Sequence, residues 1–149
     1  MPGLAEIILA LALTGGSHEM GHITEADRLN EPIKFDGTQF TTPATGDNLA
    51  RIAGAGFPMQ DTINRAREDK TQNAVNAMHK ISYLIRGRGD LDSIEKAKGK
   101  KARQTIEGAL VMSALSDLSK AFGKTRTDRG FGVGQSNKGT PMLTFGGRF

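Results

Sequence analysis

Apolar and polar positions change period several times along the 149-residue chain. Residues 3–30 open with the apolar run Ile7-Ile8-Leu9-Ala10-Leu11-Ala12-Leu13 and continue as an amphipathic stretch, which predicts a helix. Pro2 suits its start, Gly15-Gly16 is expected to weaken or kink its middle, and Asn30 is a C-cap candidate. Around Ile33 and Phe35 apolar and polar residues alternate, and Asp36-Gly37 is a turn signal, so a short strand or hairpin is expected. After a cap at Thr45-Gly46-Asp47, residues 48–56 form a weak helix of small residues able to pack very closely on a neighbour. Over 59–86, Ile63, Ala66, Ala74, Ala77, Met78, Ile81, Leu84 and Ile85 recur at spacings of three and four, a helical stripe. Arg86-Gly87-Arg88-Gly89 interrupts it, and Asp90-Leu91-Asp92-Ser93 restarts a helix with acidic residues at its positive end. Helices through Lys96–Arg103 and over Thr105–Phe122 follow, the second with an apolar face of Ile106, Ala109, Leu110, Met112 or Ser113, Leu115 and Leu118. Residues 123–149 hold seven Gly and read as a flexible or extended arm. The fold expected is mainly α: a small helical domain over 1–122 with one short strand or hairpin, and an extended Gly-rich C-terminal arm over 123–149.

Length and composition fit one domain with a core lean in aromatics, seven Phe, one Tyr and no Trp. The absence of cysteine removes disulfides, thiolate metal sites and a Cys nucleophile. The net charge of +4 hides an asymmetry. Residues 1–93 carry 9 Lys/Arg against 12 Asp/Glu, and residues 94–149 carry 11 against 4. The basic end could meet an anionic surface or an acidic protein face, and the arm suggests a protein partner or a second copy of the chain. Within it, Lys96-Ala97-Lys98-Gly99-Lys100-Lys101-Ala102-Arg103 could contact nucleic acid phosphates, although no aromatic stacking residues are interleaved. No basic residue precedes the N-terminal apolar run, so no secretory signal is expected. A lone span needs about 20 apolar residues. Residues 4–20 reach that only by including Gly15, Gly16, Ser17, His18 and Glu19, which predicts a helix buried in protein or at an interface, with membrane contact as the further option.

One motif carries chemistry. His18-Glu19-Met20-Gly21-His22 is a complete H-E-x-x-H. On a helix its two imidazoles share a face one turn apart and can bind one Zn²⁺ at about 2.0–2.1 Å. Glu19 then stands beside the metal as general base for its water. Glu25 lies on the same face one turn after His22 and is a local candidate for third ligand. Asp92 and His79 are distant candidates that the fold would have to bring close, and Asp27 points away from His22.

The H-E-x-G-H form, the apolar run before it, and Ala26-Asp27-Arg28-Leu29 followed by the strand-like Pro32-Ile33-Lys34-Phe35 resemble the site-2 protease type of membrane zinc metallopeptidase, over residues 4–40. The resemblance implies peptide hydrolysis at a zinc ion. It also implies a third ligand in a Leu-Asp-Gly-like motif, whose nearest match is Leu91-Asp92-Ser93, with Ser in place of Gly. Glu25 and Asp92 therefore both stand as third-ligand candidates beside His18 and His22. The competing class is a non-enzymatic structural or assembly protein, such as a small phage virion component, for which the Gly-rich basic arm and low aromatic content speak. Arg88-Gly89-Asp90 matches a cell-adhesion tripeptide, too short a match to carry weight.

Overall fold

The computed structural model describes residues 2–36, 39–67, 69–123, 129–135 and 141–147. Six helices dominate: α1 (Leu4–Arg28), α2 (Gly46–Gly54), α3 (Gly56–Arg67), α4 (Lys70–Arg86), α5 (Asp90–Lys98) and α6 (Lys100–Phe122). Between α1 and α2, β1 (Lys34–Phe35) pairs antiparallel with β2 (Phe40–Thr41). After α6, β3 (Arg129–Gln135) pairs antiparallel with β4 (Pro141–Gly147), in register from Arg129↔Gly147 to Gln135↔Pro141. The mainly helical fold with a short hairpin is the one expected, and within the C-terminal stretch Arg129–Gln135 and Pro141–Gly147 are extended and paired with each other.

Helix α1 runs through Gly15-Gly16 as one element, where a weakened or kinked middle was expected. Thr14 holds this stretch by accepting from Gln72 Nε2 of α4 at 2.7 Å. The helix ends on the two reverse hydrogen bonds of a glycine-type cap: Glu31 N–H to Ala26 O at 2.9 Å and Asn30 N–H to Asp27 O at 3.0 Å. Asn30, at φ +53°, takes the left-handed position just past the cap. In the β1–β2 hairpin, Asp36 Oδ1 accepts from Gln39 N–H at 2.9 Å and closes the turn. The Phe35 and Phe40 rings lie 4.8 Å apart across it.

The stretch 59–86, which reads as one helical zone, is two helices. Asp69 caps α4, accepting from the N–H of Thr71 at 2.7 Å and of Gln72 at 3.4 Å, and Gly87 at φ +59° ends it. Helix α1 packs on α3 and α4, α4 packs on α6, and α5 bridges α2 and α6. The apolar core is small. One cluster joins Ala53, Phe57, Leu91, Ile94, Ile106, Ala109 and Leu110, and a second joins Ala26, Ala44 and Ile52.

Much of the rest of the interior is polar, which the apolar stripes do not foretell. On α4 the buried residues are Gln72, Asn73, Val75, Asn76, Ala77 and Lys80, while Met78 and Ile85 are exposed. On α6 the buried face passes through Ser113 and Asp117, and Met112 and Leu115 are exposed. The cause is one ion network. The fully buried Lys80 ammonium donates to Asp61, Ser113 and Asp117, and Asn76 and Asn64 also donate to Asp117. A buried ammonium is tolerable only when paired in this way. Among the described residues, no helix is long and apolar enough to cross a membrane. Of the basic cluster over 96–103, Lys98 pairs with Asp47, and Arg103 pairs with Asp92, Glu95 and Glu107.

Candidate metal centre

The motif helix α1 carries His18 and His22 on its buried face, with Glu19 half-buried beside them. Two glycines allow the close crossing that buries them. A Cβ on Gly21 would lie 2.4 Å from the Ala55 carbonyl oxygen, and one on Gly56 would lie 2.5 Å from His18 Cε1. The α2–α3 junction therefore rests directly against the motif, as the small residues of 48–56 suggest.

His18 is fully buried. Its Nδ1 lies 3.2 Å from Gln60 Oε1 of α3. Its Nε2 lies 2.9 Å from Asp90 Oδ2 at the start of α5 and 3.0 Å from the Tyr83 hydroxyl of α4. His22 Nδ1 lies 2.7 Å from the Ile52 carbonyl oxygen, and its Nε2 lies 3.4 Å from the same Asp90 oxygen. A carbonyl oxygen only accepts, so His22 Nδ1 carries a hydrogen, and without a metal Nε2 meets the Asp90 carboxylate, itself an acceptor, through a second hydrogen. Two imidazole nitrogens thus converge on one carboxylate oxygen.

The electrostatics follow from this crowding. Burial lowers the basicity of His22, but the hydrogen bond and charge of Asp90, with the Ile52 carbonyl and Glu19, outweigh it and push the imidazole up to about 9. Burial would raise the Asp90 carboxyl, yet hydrogen bonds from His18 and His22 hold it well below the usual carboxylate range. His79, whose ring centroid is 5.1 Å from that of His18, is pushed down to about 4, first by burial and then by the charge of His18. Burial, followed by the charges of Asp90 and Glu19, pushes the Tyr83 phenol up, so its hydroxyl keeps its proton.

His18, Glu19 and His22 bring ligand atoms within 4.8 Å of one another and could hold a metal ion. The acid touching both histidines is Asp90; the sequence candidates Glu25 and Asp92 lie in other contacts. Both Glu25 oxygens are engaged by Arg28, at 2.7 and 2.8 Å, and Arg51 Nε reaches one of them at 2.9 Å. Asp92 is two residues further along α5, about 200° around the helix from Asp90, and pairs with Arg103 at 2.9 Å. His79 enters the cluster but turns its Nδ1 to Gln60 Oε1 at 3.0 Å. Asp90 has one signal in the sequence: the Gly87 and Gly89 positions flanking Arg88, both at positive φ, let the chain double back onto α1 just before it. Tyr83, one turn after His79 on α4, has none.

The site opens on a cleft of about 390 Å³. Glu19, His22, Tyr83 and Asp90 line one side, and Gln39, Phe40, Thr41 and Thr42 line another. Strand β2 thus borders the cleft over consecutive residues, while its paired residues Lys34 and Phe35 do not. Among the described residues β2 pairs with β1 alone, and its residues border the cleft. Ile33, Leu49 and Ile52 add an apolar lining and Lys96 a positive charge. No family model matches the chain, and comparison with curated proteins and with solved structures gives no match.

Proposed function

We propose that this protein is a zinc-dependent peptide hydrolase in which His18, His22 and Asp90 hold the metal and Glu19 is the general base. The observation that carries this reading is the convergence of His18 Nε2 and His22 Nε2 on Asp90 Oδ2, at 2.9 and 3.4 Å. Three electron-rich atoms this close in a mostly buried site need a cation between them. A proton can serve, and so can a metal: ligands at about 2.0–2.1 Å from tetrahedral zinc stand roughly 3.3 Å apart. Two imidazoles and a carboxylate make a donor set that suits zinc and leaves a position for water.

Bound there, a metal supplies Lewis acidity and a water acidic near neutral pH. Glu19, on the cleft side, would serve as general base toward an attacking water and as general acid toward the leaving amine. The Tyr83 hydroxyl, held protonated on the same wall, is a donor for the developing oxyanion. The β2 edge favours a peptide over other acyl substrates, because an extended chain can add to an open strand edge by main-chain hydrogen bonds. The test is turnover of unstructured peptides by zinc-loaded protein and by Glu19→Gln. Loss of about 10²–10⁴-fold with zinc retained supports the reading. Equal turnover by the variant, or none by the zinc-loaded wild type, contradicts it.

A second reading, an assembly protein, draws on a separate observation. In the first turns of α1, Leu4 is 74%, Ile8 57% and Leu11 58% exposed, on an element whose only charged residue before His18 is Glu6. Such a helix is normally covered. This reading expects a stable oligomer by light scattering, dissociated by Ile8→Lys with Leu11→Lys. A monomer at all concentrations removes its support.

A further inference from the structure

The two histidines of the motif are oriented differently. His22 leans on a backbone carbonyl, which cannot be reversed. His18 leans on the side-chain amide of Gln60, which in principle can flip and present its NH₂ group instead. What prevents the flip lies deeper in the protein. Asn76, fully buried, donates from Nδ2 to Asp61 Oδ1 at 3.3 Å and to Asp117 Oδ2 at 2.7 Å. Lys80 holds those same two carboxylates as acceptors. The Asn76 NH₂ is therefore committed to the carboxylates, and its Oδ1 must face Gln60. That oxygen accepts from Gln60 Nε2. The Gln60 Oε1 is then turned to the imidazoles, where it stands 3.2 Å from His18 Nδ1 and 3.0 Å from His79 Nδ1. Both Nδ1 atoms must carry hydrogen, which leaves His18 Nε2, 2.9 Å from Asp90 Oδ2, as the nitrogen that faces the centre.

We propose that Gln60 is a positioning residue, locked by Asn76 and the Lys80–Asp61–Asp117 network, that fixes His18 in the Nδ1–H tautomer and so aims its Nε2 into the centre. Each link is a group with only one way to bond: carboxylates that only accept, an ammonium that only donates, and two amides with one orientation each. The value of this arrangement for metal binding rests on the zinc reading, but the tautomer itself does not. Outer partners of metal-bound histidines change metal affinity by about 10- to 100-fold when removed.

Two measurements on the full-length protein test it. Long-range ¹H–¹⁵N correlation spectra of the metal-free protein, from acid to alkaline pH, read which His18 nitrogen carries hydrogen. Zinc affinity is read in parallel by competition with a chromophoric chelator, for wild type, Gln60→Met and Gln60→Glu. The expected result is hydrogen on His18 Nδ1 at every pH, and a mixed tautomer in Gln60→Met. That variant should bind zinc about 10- to 100-fold more weakly, with affinity restored by Gln60→Glu, which keeps the acceptor. A neutral Nε2–H tautomer in the wild type overturns the proposal without any variant having to fold. So does a Gln60→Met protein with unchanged tautomer and affinity. If the wild type binds no zinc yet holds the Nδ1–H tautomer that Gln60→Met loses, the metal reading fails and the positioning role stands.

Discussion

Asp90 and Asp92 are two positions apart and have opposite surroundings, and the difference has consequences at single side chains. Asp90 is shared by two buried imidazoles; Asp92 is exposed and faces Arg103. In the metal-free protein the His22–Asp90 contact makes stability depend on pH. The folded imidazole titrates near 9 against 6.5 when unfolded, so its contribution is fully present below pH 6.5 and is lost as pH rises to about 9. Unfolding free energies from denaturant titrations should fall across that window, by at most about 3 kcal/mol, and Asp90→Asn should flatten the profile. A flat wild-type profile would mean that the contact does not hold a proton. Lys80 gives a second prediction at this scale. Lys80→Met leaves Asp61 and Asp117 buried without their cation and should cost about 3–5 kcal/mol in urea unfolding. A loss below about 1 kcal/mol would show the network to be weakly coupled to folding.

At the scale of the elements, the decisive feature is how closely α1 crosses the α2–α3 junction. Gly21→Ala drives a methyl against the backbone of Ala55, so the helices must separate and carry His18 and His22 with them. It should lower stability by several times the helix-propensity gain of about 0.5–1 kcal/mol, and weaken metal binding as well. Gly16→Ala meets nothing within 4 Å inside the same helix and should be stabilising by about that gain. Thermal unfolding of the two variants side by side separates packing from propensity; equal shifts would contradict the crossing. The elements themselves were largely legible. Pro2, Asp36-Gly37, the Gly87 and Gly89 interruption and the Ile106–Leu110 face all mark features the fold contains. The α3–α4 break was hidden because Asp69 caps α4 within the eight-residue step from Ala66 to Ala74, a step that keeps the stripe in helical phase. The stripe itself misled at Met78 and Ile85, because the partner face offers Asp61 and Asp117 rather than apolar side chains.

In the whole molecule, a lean apolar core is supplemented by a buried ion network that reaches, through Asn76 and Gln60, to the histidines of α1. The motif in the sequence identifies His18, Glu19 and His22, because their spacing is local to one helix. It cannot identify Asp90, Tyr83 or Gln60, which are 30 or more residues away and meet the motif only through the packing of α3, α4 and α5 on α1. The open β2 edge is likewise a property of the assembled cleft. All of these meet at the one centre, and its composition is the central claim. The most direct measurement is zinc per chain, by elemental mass spectrometry, for wild type, His18→Ala with His22→Ala, Asp90→Asn and Asp92→Asn. Near one zinc in the wild type and in Asp92→Asn, with little or none in the other two, is the predicted result. Zinc retained by Asp90→Asn, or no zinc in wild-type protein supplied with it at neutral pH, would contradict the account.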